Sequence, residues 1–320
     1  MADEPKPADA NLADLVAKSL KKVGGTVFST PTSSNSPKSK ASSATLVREI
    51  AALKQPLGVT CIGDDVLVLD RPDANRFRIQ RHGAEGKAAG TLCEIAKGNS
   101  DGELMEPVSL VADAEGQLFI VDARDSCIKK FSAEGRWLDT YRSAGPTGKL
   151  FDNPLDVAVD EAGNLLIADA NNNRIVQLQG DGELGWILER FPASTGSEED
   201  EFYEPCSVCV GRGGIIRVAD RNENRVLGFD ATRKLVGAWN ELSFPSLVRI
   251  ASDGTSVFVA ERSRIMRYGP SGAVTASIAF PFDIGNGAEA NGGGAMTVDA
   301  KGNLLVIDPV RESVLVLNFS

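Results

Sequence analysis

The 320-residue sequence has few of the residues that catalytic and metal sites most often use. Its single histidine, His82, excludes a multi-histidine zinc site and any pair of cooperating histidines. Five cysteines, an odd number spread along the chain, favour free thiols in a reducing compartment over a disulfide framework. No set of nucleophile, base and orienting group stands out. We therefore expect a cytoplasmic protein that is not an enzyme and that uses no metal or cofactor.

The sequence also lacks a long apolar run. No segment approaches the ~18 consecutive apolar residues of a membrane helix. The N-terminus carries Asp3 and Glu4 with no apolar stretch behind them, which argues against a signal or transit peptide. We therefore expect no membrane association.

An internal repeat organises the chain, and residues 153–178 show it most clearly. Three short aliphatic runs there are each bounded by Asp, Gly or Asn, the pattern of strands joined by tight turns. A fourth run, residues 184–188, follows the turn at residues 180–182. One unit therefore predicts four antiparallel strands, which cannot bury both faces without neighbouring units.

The unit recurs six times. An acidic residue closes the predicted second strand of each copy, at Asp70, Asp122, Asp169, Asp220, Glu261 and Asp308. The markers lie 41 to 52 residues apart, close to the ~40–50 residue period of propeller blades. A proline marks the start of the predicted first strand in five copies, at Pro56, Pro107, Pro154, Pro205 and Pro245. The sequence therefore predicts an all-β, six-bladed β-propeller of four-stranded antiparallel blades, at about residues 56–95, 107–141, 154–188, 205–239, 245–279 and 293–319.

These residues resemble the NHL-repeat β-propellers. The signature in this chain is Gly148, Phe151 and Pro154, then Asp160, Gly163-Asn164, Asp169 and Asn173-Arg174-Ile175. The resemblance covers residues 56–319. It implies a propeller whose repeated acid is structural and bonds the neighbouring backbone or the third-strand arginine. The family serves protein binding, RNA binding and, in distant relatives, lyase chemistry, so the resemblance does not select one function.

Residues 1–44 are predicted to form a flexible N-terminal arm, and residues 45–320 the propeller. The arm contains a short basic amphipathic helix at residues 9–23 and a Ser, Thr and Pro-rich linker. We expect the arm to dock on its own propeller or on a partner. Because the last blade has room for only three strands before the chain ends, residues 45–53 are predicted to supply its fourth strand and close the ring.

The innermost positions, two residues after each first-strand proline, offer little for catalysis. They are Gly58, Ser109, Asp156, Ser207, Leu247 and, by alignment, Ala295. Only Asp156 has a cation-binding side chain, whereas calcium requires six or more oxygen ligands. His82 is predicted to lie in a turn of blade one. A gluconolactonase-like calcium-dependent hydrolase is therefore kept only as a second alternative function.

Arginines recur in the loops between the second and third strands, at Arg71, Arg124, Arg221, Arg262 and Arg311. They suggest an RNA-binding face, which is the first alternative function. The segments that join one blade to the next argue against it, because they hold four basic residues and thirteen acidic ones. Nucleic acid binding draws most of its affinity from basic residues. We therefore rank nucleic acid below protein as a partner.

The longest of these segments combines acidic residues with aromatic ones. Residues 191–204 include Glu198, Glu199, Asp200, Glu201, Phe202 and Tyr203. They are predicted to bind a partner, possibly a basic one, through charge steering and aromatic anchors. The alternative is that Phe202 packs beneath the loop and the acids are only solvated. The basic part of the arm, residues 18–40, is one candidate ligand. The overall expectation is a non-catalytic interaction module or scaffold that binds through the loop face of the propeller.

Overall fold

A computed structural model shows a ring of six four-stranded antiparallel sheets. The structure describes residues 44–142, 150–192, 199–240, 242–251, 254–269, 272–280 and 295–319. The predicted arm with its helix at residues 9–23, and also Gly148 and Glu198, lie outside the described residues. Among the described residues, no helix is long and apolar enough to span a membrane.

The strands follow the predicted repeat closely. Blade one consists of β2 Pro56–Ile62, β3 Asp65–Asp73, β4 Arg76–His82 and β5 Ala88–Ala96, after β1 Ala44–Ile50. Blade two consists of β6 Pro107–Ala112, β7 Leu118–Asp122, β8 Cys127–Phe131 and β9 Trp137–Tyr141. Blade three consists of β10 Pro154–Val159, β11 Leu165–Asp169, β12 Arg174–Leu178 and β13 Leu184–Leu188. A hairpin of β14 Arg190–Pro192 and β15 Glu199–Glu201 comes next.

The second half of the ring repeats the arrangement. Blade four consists of β16 Pro205–Val210, β17 Ile216–Asp220, β18 Arg225–Phe229 and β19 Leu235–Trp239. Blade five consists of β20 Pro245–Ile250, β21 Val257–Glu261, β22 Arg264–Tyr268 and β23 Val274–Ala279. Blade six consists of β24 Met296–Val298, β25 Leu304–Asp308, β26 Ser313–Phe319 and β1. Single 3-10 turns occur at Ala170–Asn172 and Arg212–Gly214.

The ring is closed by the N-terminal strand, as predicted. β1 pairs antiparallel with β26, from Ala44 opposite Phe319 to Ile50 opposite Val314. Ile50 and Leu53 are almost completely buried. The strand ends at Ile50, earlier than the predicted residue 53, because the chain turns at Ala52, where φ is 64°. This pairing gives the last blade its outer strand, so the final sheet has four strands like the others.

Burial decreases from the inner strands of a blade to its outer strand. All five residues of β7, β11, β21 and β25 are buried, because these second strands lie between two neighbouring blades. Ala168 and Ile175 of blade three, for example, pack with Val218 and Leu227 of blade four. The outer strand β13 is mostly exposed. Sheet-on-sheet packing between blades therefore forms the core.

Tight turns between the first and second strands repeat the same chemistry. In blade three, Asp160 Oδ1 accepts hydrogen bonds from the backbone N–H groups of Ala162 and Asn164, at 2.9 and 2.8 Å. Gly163 in this turn has φ 82°, a left-handed conformation that favours glycine. The predicted Asp160 and Gly163-Asn164 signature is thus a turn that positions two buried strands.

His82 corrects one prediction. It is the last residue of β4, not part of a turn, and it is only 2% exposed. The strand extends further than expected because Val66 to Asp70 in β3 pair continuously with Arg78 to His82.

Candidate functional site

A buried polar network lies where the innermost strands meet near the axis. Asp156 Oδ1 accepts a hydrogen bond from Ser109 Oγ at 2.8 Å, and Asp156 Oδ2 accepts one from Ser207 Oγ at 2.6 Å. Arg249 donates to both carboxylate oxygens, at 2.9 and 3.2 Å. Arg249 Nε also donates to the Met296 carbonyl at 2.9 Å. The network therefore joins the first strands of blades two to six, through side chains in blades two to five and a backbone carbonyl in blade six.

This network leaves Asp156 no capacity for a cation. Its carboxylate is fully buried, and both oxygens already accept several hydrogen bonds, including one from the Val208 N–H at 3.1 Å. Sequence reasoning identified Asp156 and the two serines but missed Arg249, which lies four residues after its blade's proline. Within the described part of the chain, no group of three or more His, Cys, Asp or Glu could hold a metal ion.

The repeated acid at the end of each second strand secures the incoming connection. In five blades its carboxylate accepts a hydrogen bond from the backbone N–H two residues before the first-strand proline, donated by Lys54, Met105, Asp152, Tyr203 and Ser243. An arginine at the first position of the third strand completes the contact in blades three, four and five, as Arg174 does with Asp169 at 2.7 Å. These contacts agree with the structural role that the family resemblance implies for the acid.

Blades one and two depart from this pattern. In blade one β3 extends to Asp73, and Asp70 pairs with Arg78 at 2.8 Å instead of with Arg76. In blade two Cys127 occupies the position opposite Asp122 where other blades have the arginine. Burial raises the pKa of Asp122, which the N–H groups of Met105 and Glu106 offset only in part. The contacts of the repeated acid in blades one and two therefore differ from those in blades three, four and five.

The strand pairing places the candidate partner-binding residues that the structure describes at one end of the ring. The end of each second strand, the start of its third strand and the end of its fourth strand lie together, as Asp169, Arg174 and Leu188 show in blade three. We call this end the upper face; it carries the turns between strands two and three and the connections between blades. Turns between strands three and four lie at the opposite end, the lower face.

The predicted arginine ring is not a continuous cationic surface. Arg221 is buried, 3.3 Å from a carboxylate oxygen of Glu204, and Arg311 is paired with Glu49 at 2.7 Å. Arg262 is exposed and lies over the ring of Phe244, which Arg221 also contacts. Arg71 lies over Phe77, while Arg124 is exposed. The five arginines therefore do not act as one site.

The acidic segment between blades three and four forms a hairpin. Arg190, Phe191 and Pro192 pair with Glu201, Asp200 and Glu199 respectively. The expectation of a surface anchor at Phe202 is wrong, because its side chain is completely buried against Phe191 and Phe229, with ring centroids 4.9 and 5.8 Å away. Phe202 instead supports the hairpin from beneath. This packing is the alternative that the sequence analysis gives for Phe202.

An arginine holds the hairpin to blade four. Arg225 donates to both carboxylate oxygens of Asp200, at 2.6 and 3.2 Å, and to Asp220 at 2.8 Å. The hydrogen bond from Arg225 lowers the pKa of Asp200, whereas burial raises the pKa of Asp220 to about 6. Asp200 is thus an anchor of the hairpin, and its charge is already neutralised by Arg225.

The hairpin presents its remaining acidic residues to solvent. The side chains of Glu199 and Glu201 are 69% and 65% exposed and lie 3.6 and 3.7 Å from Arg190, which is itself 66% exposed. Tyr203 is 54% exposed beside them. Exposed ion pairs of this kind are weak. Glu199, Glu201 and Tyr203 are therefore the accessible part of the predicted site.

Comparisons with known proteins agree with this architecture. A family model described as the NHL repeat matches residues 151–178. NHL repeat-containing protein 3 of Homo sapiens is 32% identical over 146 residues, which cover 42% of this chain and 41% of that protein. The Mus musculus protein of the same name is 31% identical over 163 residues, 46% of each. The chain spans less than half the length of the curated relatives it matches.

Solved structures share the fold at low identity. A structure titled "Streptogramin B lyase structure" is 16% identical with a TM-score of 0.57, covering 87% of this chain and 98% of the other. A virginiamycin B lyase from Staphylococcus aureus is 13% identical with a TM-score of 0.56, covering 87% and 100%. These likenesses show the fold alone. The class of protein is thus a six-bladed β-propeller. Its repeats are similar to the NHL repeat, which the family model matches at residues 151–178.

Proposed function

We propose that this propeller is a non-catalytic protein-interaction module that binds a basic segment of a partner through its upper face. The observation that carries the proposal is the acidic hairpin between blades three and four. It lies outside the six blade sheets, yet Phe202 and Arg225 hold it in place. Preorganised acidic side chains attract a basic partner without a large ordering cost.

The neighbouring charges support the same partner chemistry. Glu189 precedes the hairpin, is exposed and adds a negative charge to those of Glu199 and Glu201. The exposed positive charge beside them is that of Arg190. Tyr203 adds an aromatic surface of the type enriched at interfaces. In this proposal the protein works in a reducing compartment such as the cytoplasm, which agrees with five free cysteines.

The basic arm is a weaker candidate ligand than a separate protein. Ala44, the first described residue, pairs with Phe319 at the lower face, whereas the hairpin lies at the upper face. The start of the described chain and the exposed Glu199 and Glu201 therefore lie at opposite ends of the ring. Binding of the arm to its own propeller remains a prediction, and partner recognition is the function that we propose.

Affinity purification of the full chain, with and without ribonuclease, tests the proposal. A Glu199→Lys/Glu201→Lys variant should bind the protein partner at least about tenfold more weakly, which corresponds to about 1.4 kcal/mol of binding free energy. Glu134→Lys/Glu183→Lys is a matched control, because both residues are exposed in turns at the lower face. Equal recovery by the two variants, or recovery that depends on RNA, would contradict the proposal.

A further inference from the structure

A second feature of the upper face, between blades one and two, has the opposite charge. A cleft of about 400 Å³ is lined by Arg71, Lys97 and Arg124 together with Phe77, Met105 and Glu106. Arg71 and Arg124 follow the second strands of the two blades, and Lys97 begins the connection between them. We call this feature the cationic cleft. It combines three positive side chains with apolar walls and one carboxylate.

The backbone around the cleft is held by hydrogen bonds. The Lys97 N–H donates to the Asn75 carbonyl at 2.8 Å, and the Arg71 N–H donates to the Lys54 carbonyl at 2.8 Å. Beside Arg124, the Ala123 N–H donates to the Glu106 carbonyl at 3.1 Å. The positive side chains therefore project from fixed positions, which reduces the entropy that a ligand would have to remove.

Two of the cations remain available to a ligand. Lys97 and Arg124 are exposed, and neither side chain makes a hydrogen bond or ion pair with another residue that the structure describes. Arg71 is partly engaged, because it lies over Phe77 and donates to the Ala74 carbonyl at 3.4 Å. The cleft can thus supply two positive charges without breaking an existing contact.

The acidic residues around the cleft are mostly occupied elsewhere. Asp73 is paired with Arg76 at 2.8 Å. Asp125 lies 3.2 Å from the fully buried ammonium of Lys129 and 3.0 Å from Arg142. Among the residues that the structure describes, Glu106 is the one carboxylate that lines the cleft itself, against three cations. The cleft therefore keeps a net positive charge although the connections between blades are acidic as a group.

We propose that the cationic cleft binds an acidic peptide segment of a partner protein in which a carboxylate side chain lies next to an apolar one. Lys97 and Arg124 would pair with the carboxylate, and the apolar side chain would contact Phe77 and Met105. A peptide suits this cleft better than a small molecule does, because the two cations are exposed and small ligands usually lose most of their surface in a site. This site is separate from the acidic hairpin, so it does not depend on the function proposed above.

Peptide binding to the full chain tests this proposal directly. The probe is a short fluorescein-labelled peptide with two glutamates next to a leucine, measured by fluorescence anisotropy at about 150 mM salt. The same peptide with glutamines is the ligand control. We expect the glutamate peptide to bind at least about tenfold more tightly, and a Lys97→Glu/Arg124→Glu variant to remove that advantage.

Matched variants separate the site from general charge. Lys87→Glu/Arg136→Glu makes the same charge change in the lower-face turns of the same two blades and should leave binding unchanged. Glu199→Lys/Glu201→Lys should also leave it unchanged, so failure here and failure of the hairpin proposal are distinguishable. Thermal melting checks that every variant is folded.

Several results would overturn the proposal. They are the absence of binding by the glutamate peptide, equal binding of the glutamine peptide, or equal losses in the cleft variant and the lower-face variant. A single-stranded RNA of similar charge is the competitor. Tighter binding of that RNA, dependent on Lys97 and Arg124, would assign the cleft to nucleic acid and reject the peptide.

Discussion

The axis of the propeller and its upper face use the same charged residue types under opposite conditions of burial. At the axis, Asp156 is completely buried and its ion pair with Arg249 is reinforced by two serines. At the upper face, Glu199 and Arg124 are exposed, and their contacts are weak or lacking among the described residues.

The difference shows which charges hold the ring together and which can serve recognition. A buried charge is tolerated only when it is paired and hydrogen-bonded. An exposed charge stays hydrated, contributes little to stability and remains free to meet a partner. Burial therefore separates the structural charges from the recognition charges more clearly than residue type does.

The largest expected effect comes from breaking the axial pair. Asp156→Ala should lower the free energy of unfolding by about 4 kcal/mol, because it leaves the Arg249 guanidinium buried without its carboxylate. Chemical denaturation measures the change. Asp64→Ala removes an exposed pair with Lys301 and should leave the unfolding midpoint almost unchanged. Similar losses in the two variants would contradict the distinction between axis and surface.

A smaller effect is expected at two adjacent aromatic residues of the acidic segment. Phe202→Ala should cost about 3 kcal/mol, because it removes a buried ring from the Phe191 and Phe229 cluster. Tyr203→Ala should change stability little, since the side chain is more than half exposed, and should instead weaken partner binding. Thermal melting and the affinity purification described above measure the two effects. A large loss of stability in Tyr203→Ala would reject its assignment to the accessible surface.

The smallest effect concerns pH and His82. Burial lowers the pKa of His82 below its ordinary value of 6.5, an effect that the Gly86 backbone and Asp70 oppose. The unfolded chain therefore binds a proton at a higher pH than the fold does. Stability contributed by the neutral imidazole is fully present above pH 6.5 and is lost as the pH falls from that value through the lower pKa of the folded state.

Melting temperatures at about pH 7.5 and pH 5.5 measure this effect. The native chain should lose more stability on acidification than a His82→Leu variant, because the variant has no imidazole to protonate. Carboxylates titrate in both proteins, so the difference between them isolates His82. An equal or larger loss in the variant would show that burial of His82 does not control its titration.

The repeat allowed most of the frame to be predicted. The alternation of aliphatic and polar residues and the recurring Asp and Gly turns are local signals. The predicted first and last residues of blades one to five therefore agree with the structure to within one residue. Closure by β1 followed from counting strands in the last blade. The extension of β4 through His82 was missed, because strand ends depend on pairing with a neighbour.

The candidate sites were less accessible to sequence reasoning. Asp156 and Arg249 are 93 residues apart, and no local pattern connects them. Phe202 and Tyr203 are adjacent and both aromatic, yet only the packing against Phe191 decides that one is buried and the other exposed. Arg124 lies in a turn between strands and Lys97 in a connection between blades, and only the fold brings both to one cleft.

The sequence by itself determined the number of blades, their strand order and the means of closure, because periodicity and turn chemistry act over a few residues. The tertiary structure alone decided which charges are neutralised and which remain accessible. Burial and pairing depend on residues brought together by closing the ring, and distance along the chain does not reveal them. The acidic hairpin and the cationic cleft differ for that reason, although both lie on the upper face between neighbouring blades.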